Sequence, residues 1–159
     1  MSSFFQSGIG LDSHAFVPGR RLVLGGVEIP YERGLAGHSD ADVLTHAVID
    51  AILGAAGMGD IGIHFPDTDP HFKDADSMGL LAEVLHRVRA AGWEVTHVDT
   101  TVMLERPKLV AHREDLVASL TAAVGCSVNL KATTGEGMGF VGRGEGAAAM
   151  AVATLKRRG

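Results

Sequence analysis

The sequence is short of several things, and each shortage narrows what the chain can be. There is one cysteine, Cys126. That excludes an intrachain disulfide framework and a cysteine-built metal cluster, and it fits a reducing compartment. Aromatic residues make up only 5% of a chain that is 46% hydrophobic, so the core has to be aliphatic. No apolar run is long enough to span a bilayer. The N-terminus, Met1-Ser2-Ser3-Phe4-Phe5-Gln6, has no basic region followed by an apolar run, which argues against a secretory signal. Basic residues are outnumbered, and the formal net charge of -5 argues against general nucleic-acid binding while leaving room for a local cationic or metal site. The expectation is one cytoplasmic domain over residues 1–159, with a proper core and with neither a membrane nor a nucleic-acid partner. Glycine, by contrast, is plentiful at 21 residues; many fall in short clusters, which suggests backbone-built binding loops.

Two stretches carry candidate chemistry. Residues 4–12 read as a first strand that ends in Asp12-Ser13-His14. Residues two apart in an extended chain project to one face, so Asp12 and His14 can point at the same atom. A carboxylate beside an imidazole suits a divalent ion of zinc type; the alternative is an ordinary strand-end turn with a surface histidine. The second stretch runs from Gly37 through His38, Ser39, Asp40, Ala41 and Asp42 to His46, as a loop entering a helix of about residues 40–56. Ser39 or Asp40 can cap that helix. Asp42 and His46, four apart, share one of its faces. His38 lies just ahead of the N-terminus, where free N–H groups favour an anion; the alternative is a polar helix start with two unremarkable histidines. The helix is apolar enough to be buried, and a desolvated histidine needs a partner. If the first strand packs beside it, His46 meets Asp12 and His14. Three protein ligands leave a coordination position open, as in catalytic zinc sites. Asp42 would then be a carboxylate behind the ligands, or a proton acceptor.

Arg21 to Pro30 has the pattern of a hairpin turning at Gly25-Gly26. Residues 59–70, with Asp60, Ile61, Gly62, Phe65, Pro66, Asp67, Thr68 and Asp69, have no helical or strand period and read as a loop: either a solvated connector or a lid over a polyol or phosphate. Asp76-Ser77 caps an amphipathic helix to about Ala91. Trp93 to Leu104 alternates strictly and predicts a strand. A helix over 110–124, a strand over 128–134 and a glycine-rich stretch over 135–146 follow. In that last segment Thr133, Thr134 and Glu136 offer hydroxyls and a carboxylate for phosphate oxygens and a Mg²⁺-type ion. Period does not decide whether Ala147–Leu155 is strand or helix. The order predicts an α+β fold, a mixed β-sheet with helices packed on one face plus a small hairpin.

Taken together, Asp12-x-His14, His38-Ser39-Asp40-x-Asp42-x-x-x-His46, Gly59-Asp60-Ile61-Gly62, Phe65-Pro66-Asp67-Thr68-Asp69-Pro70, Lys131-Ala132-Thr133-Thr134-x-Glu136 and Gly142-Arg143-Gly144-Glu145-Gly146 occur in an order that resembles the 2-C-methyl-D-erythritol 2,4-cyclodiphosphate synthases, from about residue 8 to 155. The resemblance implies conversion of 4-diphosphocytidyl-2-C-methyl-D-erythritol 2-phosphate to the cyclic diphosphate and CMP, in the non-mevalonate route to isoprenoids. It implies a homotrimer with active sites between subunits. Asp12, His14 and His46 match zinc ligands, and Glu136 matches the residue associated with Mg²⁺ or Mn²⁺ on the diphosphate. His38 and Thr134 match positions that stabilise the transition state. Asp12, His14, His38 and Ser39 match substrate contacts, as do Asp60 to Gly62 and Phe65 to Asp69 on the methylerythritol phosphate side. Leu104, Glu105, Arg106, Pro107, Lys108, Leu109 and Val110, with Ala132, Thr133 and Thr134, match the cytidine side, Lys108 lying near the diphosphate, and Gly135 and Glu136 match further substrate contacts. Phe140 and Arg143 match residues around a central cavity where an isoprenoid diphosphate can sit. Two departures touch the nucleotide side: Gly135 stands where a hydroxyl residue is common, and Glu105-Arg106 where smaller or neutral residues are frequent. Many relatives are fused to a cytidylyltransferase, for which this chain is too short; a separate partner enzyme stays open. The rival readings are a zinc phosphohydrolase, which would release inorganic phosphate, and a non-catalytic sensor of a nucleotide or isoprenoid diphosphate.

Overall fold

The computed structural model describes residues 4–159. Met1 to Ser3 of the segment read as free of a secretory signal lie outside the described residues. Strand β1 (Phe5–Pro18) runs well past the expected end at Asp12, so Asp12 and His14 sit inside a long strand. β2 (Leu22–Leu24) and β3 (Val27–Ile29) form the expected hairpin. Gly25 and Gly26 turn it with φ of 58° and 77°, a left-handed pair that glycine adopts without a Cβ clash. After β4 (Arg33–Leu35) come helix α1 (Val43–Ala56), the one-turn helix α2 (Ile61–His64) and helix α3 (Ser77–Ala90). Then follow β5 (Trp93–Met103), α4 (Arg113–Val124), β6 (Ser127–Thr133), the one-turn α5 (Gly139–Gly142) and β7 (Gly146–Arg157).

The main sheet has the order β4-β1-β7-β5-β6. β5 and β6 are parallel, joined through α4; the other neighbours are antiparallel. This is the mixed sheet of an α+β fold, with α1 laid across β1 and β7. The Ala-rich end that periodicity left undecided is a strand because of this helix. Ala147, Ala149, Ala151, Ala153 and Leu155 alternate into the core, and small side chains there let α1 approach. The approach is closest at β1. A Cβ on Gly8 would lie 2.2 Å from the Ala55 backbone nitrogen. Helix and strand therefore touch backbone to backbone, which sets His46 of α1 beside Asp12 and His14 of β1.

Three expectations are corrected. Helix α1 starts at Val43, capped by Asp42, whose side chain accepts from Thr45 N. Ser39 and Asp40 are not its caps, because Ala41 has φ of 56° and takes the chain out of the helical region between them and the helix. Residues 59–70 are not a loop throughout: Asp60 caps α2, and Pro70–Phe72 adds a 3-10 turn. In β5 the strict alternation breaks at a bulge between Val95 and His97. Trp93 and Val95 are buried before it, and Val98, Thr100 and Val102 after it, so His97 and Asp99 lie on the opposite face from Val95's core-facing side.

That opposite face of the sheet carries apolar side chains exposed in the single chain: Phe5, Ile9 and Leu11 on β1, Met150 and Val152 on β7. Ile9 is 58% and Leu11 57% exposed. Toward β5 and β6 the face turns polar, with Asp99 accepting from Lys131 at 2.7 Å and from Asn129 at 3.0 Å. Among the described residues no helix is long and apolar enough to cross a membrane.

Candidate active site

Asp12 Oδ2 is the centre of the site. It lies 2.8 Å from His14 Nε2 and 3.1 Å from His46 Nδ1. The ligand-type atoms of the three residues all fall within 4.8 Å of one another. The other nitrogen of the His14 ring lies 2.8 Å from the Ala36 carbonyl. A carbonyl only accepts, so Nδ1 carries the hydrogen and Nε2 turns a lone pair toward Asp12. His46 Nε2 likewise has a partner away from the site, Ser77 Oγ at 2.8 Å, with Ser39 Oγ farther at 3.3 Å. Two imidazoles and a carboxylate aimed at one point, each imidazole held from behind, are a donor set that fits a divalent metal ion.

The electrostatics agree. Burial works against the charge on Asp12, but the protonated His14 and His46 rings, which donate to it and attract it, outweigh burial and bring its pKa down to about 2. Burial likewise works against a charged His14; the Asp12 carboxylate and the Ala36 carbonyl prevail, and its pKa is raised. Asp12 thus stays ionised wherever a metal could bind.

Around this group is a cavity of about 300 Å³, lined on one side by Asp12, His14, His38, Ser39 and His46, and on the other by Ile61, Gly62, Phe65, Asp67, Phe72 and Leu80. His38 Nε2 is buried there and has no partner among the described residues. The second wall is a fixed segment. Asp60 Oδ1 accepts from Ile63 N at 3.0 Å, and Asp50 Oδ1 from Ile61 N at 2.8 Å. His64 bridges the Met58 carbonyl and Arg87, while Phe65 is buried against Phe72 with ring centroids 5.2 Å apart. Pro66, Thr68 and Asp69 continue it; Asp69 caps the 3-10 turn by accepting from His71 N. The stretch is thus an anchored wall of the cavity.

Asp42 is corrected here. Expected behind the metal ligands, it instead accepts from Gly25 N at 2.9 Å, Gly26 N at 2.8 Å, Thr45 N at 3.0 Å and Thr45 Oγ1 at 2.8 Å. Its four donors tie the β2–β3 turn to the start of α1, and its fully buried carboxyl is pushed upward by desolvation against their pull. The side chains behind the site are ones that spacing did not reveal. Arg20 donates to the Gly37 carbonyl at 2.9 Å and the Ser39 carbonyl at 2.7 Å, clamping the His38 loop. Ser77, read above as a helix cap, lies 2.8 Å from His46. Neither has a local signal, because each meets the site only through tertiary packing.

The residues on the predicted cytidine side gather elsewhere. Thr134, Glu136 and Lys108 are not among those lining the His46 cavity. Glu105 spans the turn after β6, with Oε2 accepting from Gly135 N at 2.9 Å and Oε1 from Gly137 N at 3.3 Å. Between them Glu136 is exposed and holds φ of 51°. Thr134 Oγ1 accepts from Glu136 N at 3.2 Å, which leaves its hydrogen free. A Cβ on Gly135 would lie 2.5 Å from Gly142 N, so this turn has no room for the hydroxyl residue that the resemblance favours. Leu104 and Leu109 are core residues, and what they can offer a ligand is backbone; Arg106, Lys108, Val110, Ala132 and Thr133 are exposed around them and Pro107 is half-buried. Phe140 lines a third place, a cavity of about 190 Å³ with Ser13, His14, Ala15, Glu145 and Gly146. Arg143 lies near its rim, 3.2 Å from Glu145.

Comparison with known proteins gives a consistent result. Residues 5–156 match the YgbB family. A 2-C-methyl-D-erythritol 2,4-cyclodiphosphate synthase of Bordetella avium (strain 197N) is 57% identical over 157 residues, which are 97% of this chain and 97% of that one. Among solved structures, the bifunctional IspDF of Campylobacter jejuni superimposes with a TM-score of 0.94 at 43% identity, over 98% of this chain and 43% of that one. A 2C-methyl-D-erythritol-2,4-cyclodiphosphate synthase in its CDP-bound form does so with a TM-score of 0.87 at 38% identity, over 94% of this chain and 99% of that one.

Proposed function

The chain belongs to the YgbB family, and we propose that it converts 4-diphosphocytidyl-2-C-methyl-D-erythritol 2-phosphate to 2-C-methyl-D-erythritol 2,4-cyclodiphosphate and CMP. This is the cyclising step of non-mevalonate isoprenoid precursor synthesis. The observation that carries the reading is the convergence of Asp12, His14 and His46 in the cavity walled by Ile61, Gly62, Phe65 and Asp67.

An oxygen of the substrate's 2-phosphate attacks the β-phosphorus. A new P–O bond forms as the bond from that phosphorus to the bridging oxygen breaks, and CMP leaves with that oxygen and its electron pair. Nucleophile and electrophile belong to one molecule, so no protein nucleophile is needed. Holding them in line supplies up to roughly 7–11 kcal/mol; the remainder is electrostatic stabilisation of the phosphoryl oxygens. Asp12, His14 and His46 would hold zinc, which when bound serves as a Lewis acid toward phosphate oxygen. Glu136, on its exposed turn, would hold Mg²⁺ or Mn²⁺ against the diphosphate. His38 Nε2 would donate to an oxygen gaining charge, and the free Thr134 hydroxyl would do so from the other side. Asp60 has one carboxylate oxygen engaged with Ile63 N; the other would accept a methylerythritol hydroxyl.

The assembly we propose is a homotrimer with sites shared between subunits, in the cytoplasm. Two observations support it. The Thr134–Glu136 turn and Lys108 do not line the His46 cavity of their own chain, and the β1–β7 face is apolar and bare. An interface that buries this face and sets one chain's turn against the next chain's cavity answers both. Phe140 and Arg143 would then border the central cavity and meet an isoprenoid diphosphate.

Phosphorus NMR of the purified protein with zinc, Mg²⁺ and the cytidine substrate tests the reading. Cyclic diphosphate resonances together with CMP are expected. Release of inorganic phosphate would replace the reading with a phosphohydrolase, and an unchanged spectrum from zinc-loaded protein with a sensor.

A further inference from the structure

Behind His46 lies a second pair of side chains, Ser77 and Asp40. Ser77 Oγ is 2.8 Å from His46 Nε2 and donates its hydrogen to Asp40 Oδ1. The same carboxylate accepts from Ser77 N at 3.0 Å through Oδ2 and from Asp42 N at 3.2 Å through Oδ1. Ser77 is fully buried and His46 is 8% exposed, so water does not compete for these bonds. From this chain we infer that Ser77 and Asp40 are positioning residues that fix the tautomer of His46 and turn its Nδ1 lone pair toward Asp12. The inference rests on the proposed role of His46 as a metal ligand.

The direction of the bonds follows from a count of hydrogens. A serine hydroxyl has one, and an ionised carboxylate has none. The Ser77 hydrogen is committed to Asp40, so Ser77 can only accept from the ring. His46 Nε2 must then carry the ring's hydrogen, and Nδ1, 3.1 Å from Asp12 Oδ2, is left with the lone pair that a metal requires. Ser39 is the weaker neighbour: its oxygen lies 3.3 Å from His46 Nε2, against 2.8 Å for Ser77.

Helix capping does not account for the pair. Asp76 caps α3, accepting from Met78 N at 3.1 Å, and Asp42 caps α1. The two side chains are therefore free of the duty that the sequence suggested for them. His14 has a simpler counterpart, the Ala36 carbonyl. The two imidazole ligands are held by different devices: one by the backbone, the other by a serine and a carboxylate from two separate segments, the loop before α1 and the first turn of α3.

The test begins on the metal-free native protein. Long-range ¹⁵N–¹H spectra of its neutral His46 ring should show a hydrogen on Nε2 and a bare Nδ1; the opposite tautomer overturns the inference without any variant. Zinc affinity is then measured by competition with a chromophoric chelator for the native protein, Ser77→Ala, Ser77→Thr, Asp40→Asn and His46→Ala. Ser77→Ala should bind zinc roughly 10-fold or more weakly, the usual effect of losing such a partner. It should stay folded, with a melting temperature lowered by the loss of two buried hydrogen bonds, and show both His46 tautomers. Ser77→Thr, which keeps the hydroxyl, should recover most of the affinity. A folded Ser77→Ala protein with native affinity and a single tautomer would overturn the positioning role. If His46→Ala itself binds zinc as tightly as the native protein, the ligand assignment fails first, and the two failures are told apart.

Discussion

A Cβ on Gly10 would lie 1.9 Å from the carbonyl oxygen of Ala47. No side chain stands between β1 and α1 at this level, and Ala47 is the residue next to His46. The geometry of the Asp12, His14 and His46 group is therefore set by a contact between two backbones, where the obstructing atom cannot rotate away. Gly10→Ala must push the helix off the strand. Overpacking of a core usually costs about 1–3 kcal/mol, and this variant should lie at or above the upper end because backbone has to move. Urea denaturation gives the cost and zinc content the displacement. A variant as stable and as zinc-rich as the native protein would contradict the account.

Asp42 separates a fold role from a site role. Three of its four donors, the N–H groups of Gly25, Gly26 and Thr45, are left without a partner in Asp42→Ala, and the Thr45 hydroxyl keeps only Met78 Sδ at 3.4 Å. Each buried donor left unmade costs about 1–3 kcal/mol, although such costs do not add fully. A loss of at least about 3 kcal/mol in denaturation is expected. Turnover per folded, zinc-loaded molecule should stay within about twofold of native, because the Asp42 carboxylate touches none of the three ligands and its backbone carbonyl, which accepts from His46 N at 3.0 Å, is kept in the variant. A collapse of turnover at full folding would return Asp42 to the place behind the metal that its spacing from His46 first suggested.

How far the sequence could be read is clear from these two residues. Asp12, His14 and His46 were legible because strand period and helix period each name a face, and because a buried histidine asks for a partner. The mixed sheet followed from the order of strands and helices, and the hairpin from the Gly25-Gly26 punctuation between two β-prone runs. Asp42 shares a helical face with His46, yet a residue at the helix start turns its side chain to unpaired N–H groups, and here to a hairpin 17 residues back. Ser77, Asp40 and Arg20 were out of reach for the same reason: what they touch is decided by how loops and helix ends pack. The bulge at Val95/His97 inverted an otherwise sound alternation, and the Ala-rich β7 has no period because alanine suits either face.

Metal removal should expose the Asp12–His14 pair as a pH-dependent element. With its pKa lowered to about 2, Asp12 contributes stability that is complete above the ordinary carboxylate value of 3.8 and is lost as pH falls toward 2. His14, raised above its ordinary 6.5, contributes stability that is complete below 6.5 and is lost as pH rises through its higher folded value. The pair therefore stabilises the chelated protein most between pH 3.8 and 6.5. Melting temperatures of EDTA-treated native protein and of Asp12→Asn, His14→Gln should differ most inside that window and converge on either side. A difference that does not vary with pH would rule out this coupling.

Glu105 gives the last test, on the far half of the site. Its two oxygens take the N–H groups of Gly135 and Gly137, which flank Glu136. Glu136 holds a left-handed φ of 51°, a conformation that costs a non-glycine residue roughly 1–3 kcal/mol unless its surroundings enforce it. In Glu105→Ala the enforcement goes, and the Glu136 carboxylate is released from the position in which it would meet Mg²⁺. The Mg²⁺ concentration for half-maximal rate should rise about 10-fold. Zinc content should stay native, since Asp12, His14 and His46 are untouched. Initial rates across a Mg²⁺ titration, with zinc measured by atomic absorption, read both quantities. An unchanged Mg²⁺ dependence would mean that the turn holds without Glu105, and simultaneous loss of zinc would mean that the two halves of the site are not independent.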